Sequence, residues 1–274
     1  MITTTAPTTL PGLTFGGIVT SEWVKLRSLR STIWCYALII VVTLGLGLIL
    51  ASTLNTGGVT PPAADQQALW LAASTLGIQL GVLVSAVLGA LVITGEYGTG
   101  MIRSTFTAVP TRTPALMAKA LVFAVVTFVV GFISVLATAL VTVPLFAARG
   151  IHPDFGDSHA WLVMLGGAGY LTLMGLIALA LGTIIRNSAG GIAASLGLIL
   201  VVPSIFAIFA GLTRAEWASD TAKYLPSNAG SQMFNPYQAS VTGQFEQWQG
   251  TLVVLAWVVV LMLGAVALLK RRDV

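Results

Sequence analysis

The sequence predicts an all-α polytopic membrane protein with six transmembrane helices and both termini in the cytoplasm. Composition is the first reason: 56% of the 274 residues are hydrophobic and 8% are charged, whereas a soluble domain is about 25% charged. The second is six apolar runs, at 33–54, 69–93, 115–146, 160–185, 189–212 and 251–269, each long enough to cross a hydrocarbon layer that needs about 20 residues. The third is charge asymmetry. Of the 13 lysines and arginines, ten flank the runs on the side of the N-terminal tail, and only Arg149, Arg214 and Lys223 fall on the other. Short cytoplasmic loops concentrate Lys and Arg, which sets the orientation. The net charge of +4 sits at the ends of apolar runs and forms no basic face, so nucleic acid is not an expected partner. The lone Cys35 excludes an internal disulfide and a Cys-rich metal site.

Residues 1–20 are Thr- and Pro-rich and read as a flexible cytoplasmic tail. They are not a secretory signal, because Lys25, Arg27 and Arg30 precede a full-length apolar run rather than a short one. Residues 21–32 are expected to form an interfacial amphipathic helix, with Ser21 as N-cap and Glu22 in the first turn. Val19, Trp23, Leu26 and Leu29 make one stripe, while Glu22, Lys25 and Ser28 make another. Lys25, Arg27 and Arg30 would then face lipid headgroups, a partner subunit, or both. The remainder, 33–274, reads as one six-helix domain.

In the second run Gly77, Gly81, Ser85 and Gly89 recur every four residues, giving one helix face that lets a neighbour come close. Gln79 lies near the middle of the same helix. Its amide must bond across helices or face a wet cavity, so packing and pathway both stay open for this group. No run carries a charge near its centre, which argues against an ion-coupled mechanism.

The hydrophilic stretch 95–119 interrupts the second and third runs. Gly95, Gly98 and Gly100 are expected to end the preceding helix. A short helix then follows near 99–108, with Met101, Phe106 and Val109 apolar and Arg103, Ser104 and Thr107 polar. Thr113 and Pro114 read as N-cap and first helical position of the third span. At 32 residues that span is about 48 Å long and should tilt, or project at its Lys119 end. Glycines in the fourth and fifth runs suggest close packing, Pro203 a kink, and Arg186 with Asn187 a tight turn between them.

On the opposite side, His152, Asp154, Asp157 and His159 have the chemistry of ligands, but their spacing fits no zinc or calcium pattern. The reading there is a solvated loop. Residues 213–250 mix Trp217, Tyr224, Phe234, Tyr237, Phe245 and Trp248 with polar groups, as an anchor at the outer interface or a gate over a pathway would.

Enzyme signatures are missing. There is no GxxxxGK[ST], HExxH or GxSxG pattern, so no catalytic residue, metal or bound cofactor is expected. An intramembrane protease would need a Ser with a His, or paired aspartates, within the spans. Both histidines lie in the 151–159 loop and no aspartate lies mid-span.

The stretch GEYGTGMIRSTFTAVPTRTPALMAK, preceded by SEWVKLRSLRSTIW before the first span, resembles the membrane (permease) subunit of bacterial type-2 ATP-binding-cassette (ABC) exporters. In that family a Glu and a Gly-Thr pair follow the second span, then a short coupling helix, a basic residue and a Lys opening the third. Glu96, Thr99, Gly100, Arg112 and Lys119 take those places, with Gly98-Thr99 followed by an extra Gly100. KYLPSNAG, at 223–230, is similar to the external segment after the family's fifth span. The resemblance implies a pathway formed as a dimer with a second copy or a related permease, in the lipids of the bacterial plasma membrane. It implies separate cytoplasmic ATPase subunits that carry ATP and Mg, so that only the assembled complex hydrolyses ATP. Glu96, Tyr97, Gly98, Thr99, Gly100, Arg103, Arg112 and Lys119 would couple to the ATPase, braced by Glu22, Trp23, Lys25, Arg27 and Arg30. The lack of intramembrane charge suits apolar or amphipathic cargo such as a lipid, peptide or antibiotic. A non-transporting scaffold or assembly factor, and an intramembrane enzyme, are the rival readings.

Overall fold

The computed structural model describes residues 14–54, 62–214, 216–237 and 244–271. Among them there is no strand, and six helical spans are long and apolar enough to cross a membrane. Helices close their own backbone hydrogen bonds, as hydrocarbon demands. The first span is α2 (Arg30–Thr53); α1 (Phe15–Ser28) precedes it. The second span combines α3 (Ala63–Thr75) and α4 (Ile78–Thr99), and α5 (Met101–Ala108) leads into the third, α6 (Thr113–Ala147). The fourth is α7 (Ser158–Ile185). The fifth joins α8 (Ser188–Leu196), a π-helical turn (Gly197–Val201) and α9 (Val202–Thr213). Short helices α10 (Glu216–Ala222) and α11 (Pro226–Ser231), with a 3₁₀ turn at Gln232–Phe234, precede the sixth, α12 (Gln247–Arg271).

Helix α7 is the centre. It packs on α4, α6 and α12, while α2 lies across α4 and α6. Small residues set these distances. Gly89 leaves no room for a side chain, because an added Cβ would stand 2.2 Å from the Gly175 carbonyl oxygen on α7. Ser85 bridges the same pair, its hydroxyl donating to the Leu171 carbonyl at 2.8 Å. Gly77 instead meets α2, where a Cβ would lie 2.2 Å from Thr43 Cα. Gly81 faces Leu171 and Ile39 at ordinary contact distance. The four-residue ridge therefore serves two neighbours.

Several sequence expectations change. The helix expected at 21–32 occupies Phe15–Ser28, because Thr14 caps it by accepting from Gly17 N at 3.2 Å. Of the 1–20 stretch read as a tail, residues 15–20 are helical, and residues 1–13 lie outside the described ones. Extended Leu29 separates α1 from α2, so Arg30 opens the first span. The buried stripe of α1 is Ile18, Glu22 and Leu26; Trp23 is exposed. The second span breaks at Leu76 and Gly77, where the backbone of α2 passes. Helix α4 continues through Gly95 and Gly98, and Gly100 alone ends it, at φ 75°, which favours glycine. Arg112, not Thr113, stands at the N-cap position of α6, with no side-chain capping hydrogen bond. A π-helical turn stands just before Pro203, where a wider turn accommodates the missing N–H.

The described residues of the 213–250 segment include two short helices and a 3₁₀ turn. Helix α11 and the 3₁₀ turn wedge between α7 and α12. A Cβ on Gly166 would strike the Met233 carbonyl, one on Gly250 the Ala229 carbonyl, and one on Gly230 the Tyr170 ring. Phe234 is buried against Tyr170, while Trp217, Tyr224, Tyr237 and Trp248 are exposed. Nearby, Asp154 exchanges two hydrogen bonds with the Gln67 amide, and Asp157 caps α7. These groups stitch the loop to α3 and α7.

Candidate functional site at the basic end of the bundle

Four charged residues from three helices meet where α1, α4, α5 and α6 converge. The Lys25 ammonium donates to Glu22 Oε1 at 2.7 Å, Glu96 Oε1 at 3.0 Å and Thr105 Oγ1 at 3.2 Å. The Lys119 ammonium donates to Glu96 Oε1 at 2.8 Å and to Glu22 Oε2. Two cations and two anions cancel. The side chains of Glu22, Glu96 and Lys119 are 3–5% exposed and that of Lys25 is 22% exposed, so water screens the cluster weakly.

Burial alone would lower the Lys25 pKa, but the Glu22 hydrogen bond and the Glu96 and Glu22 charges outweigh it and hold the group above its ordinary 10.5. The favoured form is therefore the charged one. Its stabilisation is complete below the ordinary value and is lost only as pH rises through the raised pKa.

This node fixes α5. Ile102 is buried under it, and Val109 packs with Ile18, Ala115 and Ala118 at the junction of α1 and α6. Helix α5 has one face held and one face free. Arg103, Ser104, Thr107 and Ala108 are exposed, as is Met101, which the sequence pattern assigned to the apolar face that Ile102 holds instead. Gly98 and Thr99 are exposed on the last turn of α4, with Thr99 Oγ1 donating to the Gly95 carbonyl.

Two arginines fasten the surroundings. Arg112, at φ 57°, donates to the Leu269 carbonyl near the end of α12 and lies over the Phe106 ring. A cation there complements the carbonyl end of that helix. Arg186, in the α7–α8 turn, covers the Tyr97 ring at 5.4 Å. The sequence pattern grouped Tyr97 and Arg112 with the coupling loop, and the structure gives both internal contacts. Trp23, Arg27 and Arg30 point outward and are exposed. Gln79 lies elsewhere, exposed on α4, its side-chain amide without a hydrogen bond among the described residues.

The ion cluster itself was not foreseen. The sequence pattern singles out all four members, but it gives Glu22 to the first turn of an interfacial helix, Lys25 to headgroups or a partner subunit, and Glu96 and Lys119 to the ATPase contact. The signal was the pair Glu22 and Glu96, acids at the basic ends of apolar runs, which need cationic partners when buried.

Six apolar spans and a tightly held short helix define a multi-pass membrane component. The pattern of the ABC-2 family transporter protein matches residues 18–202, and the chain belongs to that family. The match covers α1 through the fifth span up to Val202. It makes the chain the membrane component of an ABC transporter, distinct from the ATP-binding module and associated with ATP-binding cassette subunits. No curated protein matches the chain.

Proposed function

We propose that the chain is the permease subunit of an ATP-driven exporter in a bacterial plasma membrane, working as a dimer and coupled to separate ATPase subunits through α5. The observation that carries this reading is the two-sided character of α5: its exposed face presents Arg103, Ser104 and Thr107, and its held face meets the ion cluster through Thr105. A push on α5 reaches α1, α4 and α6 together, because Lys25 and Lys119 tie them at one point. ATP and Mg belong to the partner, which would dock on this face. The charge bias of the sequence supports a cytoplasmic place for this end.

Dimerisation has its own support. The fourth span is 67% buried within the chain and the fifth only 11%. Helix α9 buries no residue, and Ile205, Ile208 and Leu212 stand exposed. The exposed amide of Gln79 also wants a partner that lipid tails do not offer. A second copy, or a related permease, would give that amide a partner and pack against the open face of α9.

Arg103→Glu tests the coupling role. Arg103 is exposed, so folded yield should stay at the unsubstituted level while transport and transport-linked ATP hydrolysis in the assembled complex fall together. Undiminished transport by this variant would remove α5 from the coupling path.

A further inference from the structure

The end of the bundle remote from the ion cluster holds a large opening. Helices α6 and α12 both pack on α7 but scarcely touch each other, and a groove of about 750 Å³ lies over α7 between them. Its floor is one face of α7, where Leu162, Leu165, Gly166, Gly169 and Leu173 recur at helical spacing. Gly169 deepens it, because an added Cβ there would meet only the flexible end of Met233, at 3.2 Å.

Chemistry, width and depth decide what fills the groove. Its walls have no side-chain donor to spare: the Gln247 amide donates to the Leu162 and Met233 carbonyls, Thr172 to Ala168, Thr251 to Gln247 and Trp248 to Glu246. A polar ligand would give up hydrogen bonds to water for walls that donate none, so the occupant is hydrocarbon. From Leu162 to Leu173 the groove follows α7 for about 16 Å. Its mean cross-section is therefore about 45 Å², whereas a helix of about 10–12 Å diameter needs about 80 Å² or more. A tail fits and a whole helix does not. Trp248 in the wall and Trp161 beside Leu162 are exposed rings at span ends, the place such rings take at a membrane interface. From that level, about 16 Å reaches the middle of a hydrocarbon layer about 30 Å thick.

We propose that this groove binds an acyl chain of a membrane phospholipid from the leaflet remote from the ion cluster. The tail lies over Gly169 and joins Phe128 of α6 to Leu252 of α12, while the headgroup stays at the level of Trp248. Packing on three sides holds it, since within a bilayer the gain comes from close contact and not from the hydrophobic effect. The site needs no ATPase and does not depend on the coupling role of α5.

Photolabelling tests this with the full chain in nanodiscs that contain a small fraction of phosphatidylcholine bearing a diazirine midway along one acyl chain. Labelling of residues 162–173 and 247–252 should exceed that around Val41 and Ile49, comparably exposed on α2, by about tenfold, a difference that a few extra packing contacts supply. Gly169→Leu fills the groove and should bring the excess down to the α2 level. Its thermal midpoint in detergent should not fall, since glycine is the weaker helix former. Leu252→Trp, at an exposed position on the rim, narrows the groove from α12 and should act in the same direction, so the test does not rest on one variant. Labelling spread evenly over the exposed spans, or an excess that either folded variant leaves unchanged, would overturn the proposal. So would an intermolecular cross-link through Leu165→Cys formed with an added thiol oxidant and Cys35 changed to Ser, because a partner helix would then stand where the tail is placed.

Discussion

Lys119 and Glu22 show most directly what holds the basic end together. Both side chains are almost wholly buried, and each has an oppositely charged neighbour. Removing one partner of such a pair leaves an uncompensated charge and costs about 3–5 kcal/mol. Lys119→Ala should therefore destabilise the purified chain on that scale in a denaturant titration, whereas Arg27→Ala, at an exposed position, should change it by less than about 0.5 kcal/mol. Equal effects of the two would mean that the cluster is not what joins α1 to α6. Lys25 adds a sign that can be tested. Its pKa is raised above 10.5, so its contribution should be constant through neutral and mildly alkaline pH and decline only beyond that value.

At the scale of elements, close approach decides which helices pair. Gly89 meets backbone on α7, and a carbonyl oxygen cannot swing aside as a side chain would. Gly89→Val should cost about 1–3 kcal/mol by overpacking, while the same change at Gly98, which has open space around it, should cost much less and mainly through helix propensity. Thermal unfolding of the two variants in one detergent compares them. The existence of all six spans was legible because length and apolarity suffice to define a membrane helix, and residues 101–108 were legible because glycine and polar residues break the apolar runs. The break at Gly77 was not. Its cause is the passage of α2 behind it, a contact between distant segments that periodicity does not carry. The true face of α1 escaped for a related reason: a buried Glu22 looks polar until Lys25 and Lys119 are placed beside it.

For the whole molecule, the uneven burial of the spans leaves the fifth as the surface that a second copy would cover. With Cys35 changed to Ser, Ile208→Cys should form an intermolecular disulfide when native membranes are treated with an added thiol oxidant, and Ile133→Cys, exposed on α6, should not; cross-linking at both positions, or at neither, would count against a dimer through α9. As a permease engaged through α5, this chain would be the membrane half of an ATP-driven machine. Gentle purification of the tagged chain from its native membranes, followed by mass spectrometry, tests it most directly. A stoichiometric ATP-binding cassette subunit should co-purify and should be lost when residues 98–103 are replaced. A complex without any nucleotide-binding protein would contradict it and return the chain to a scaffold or assembly role.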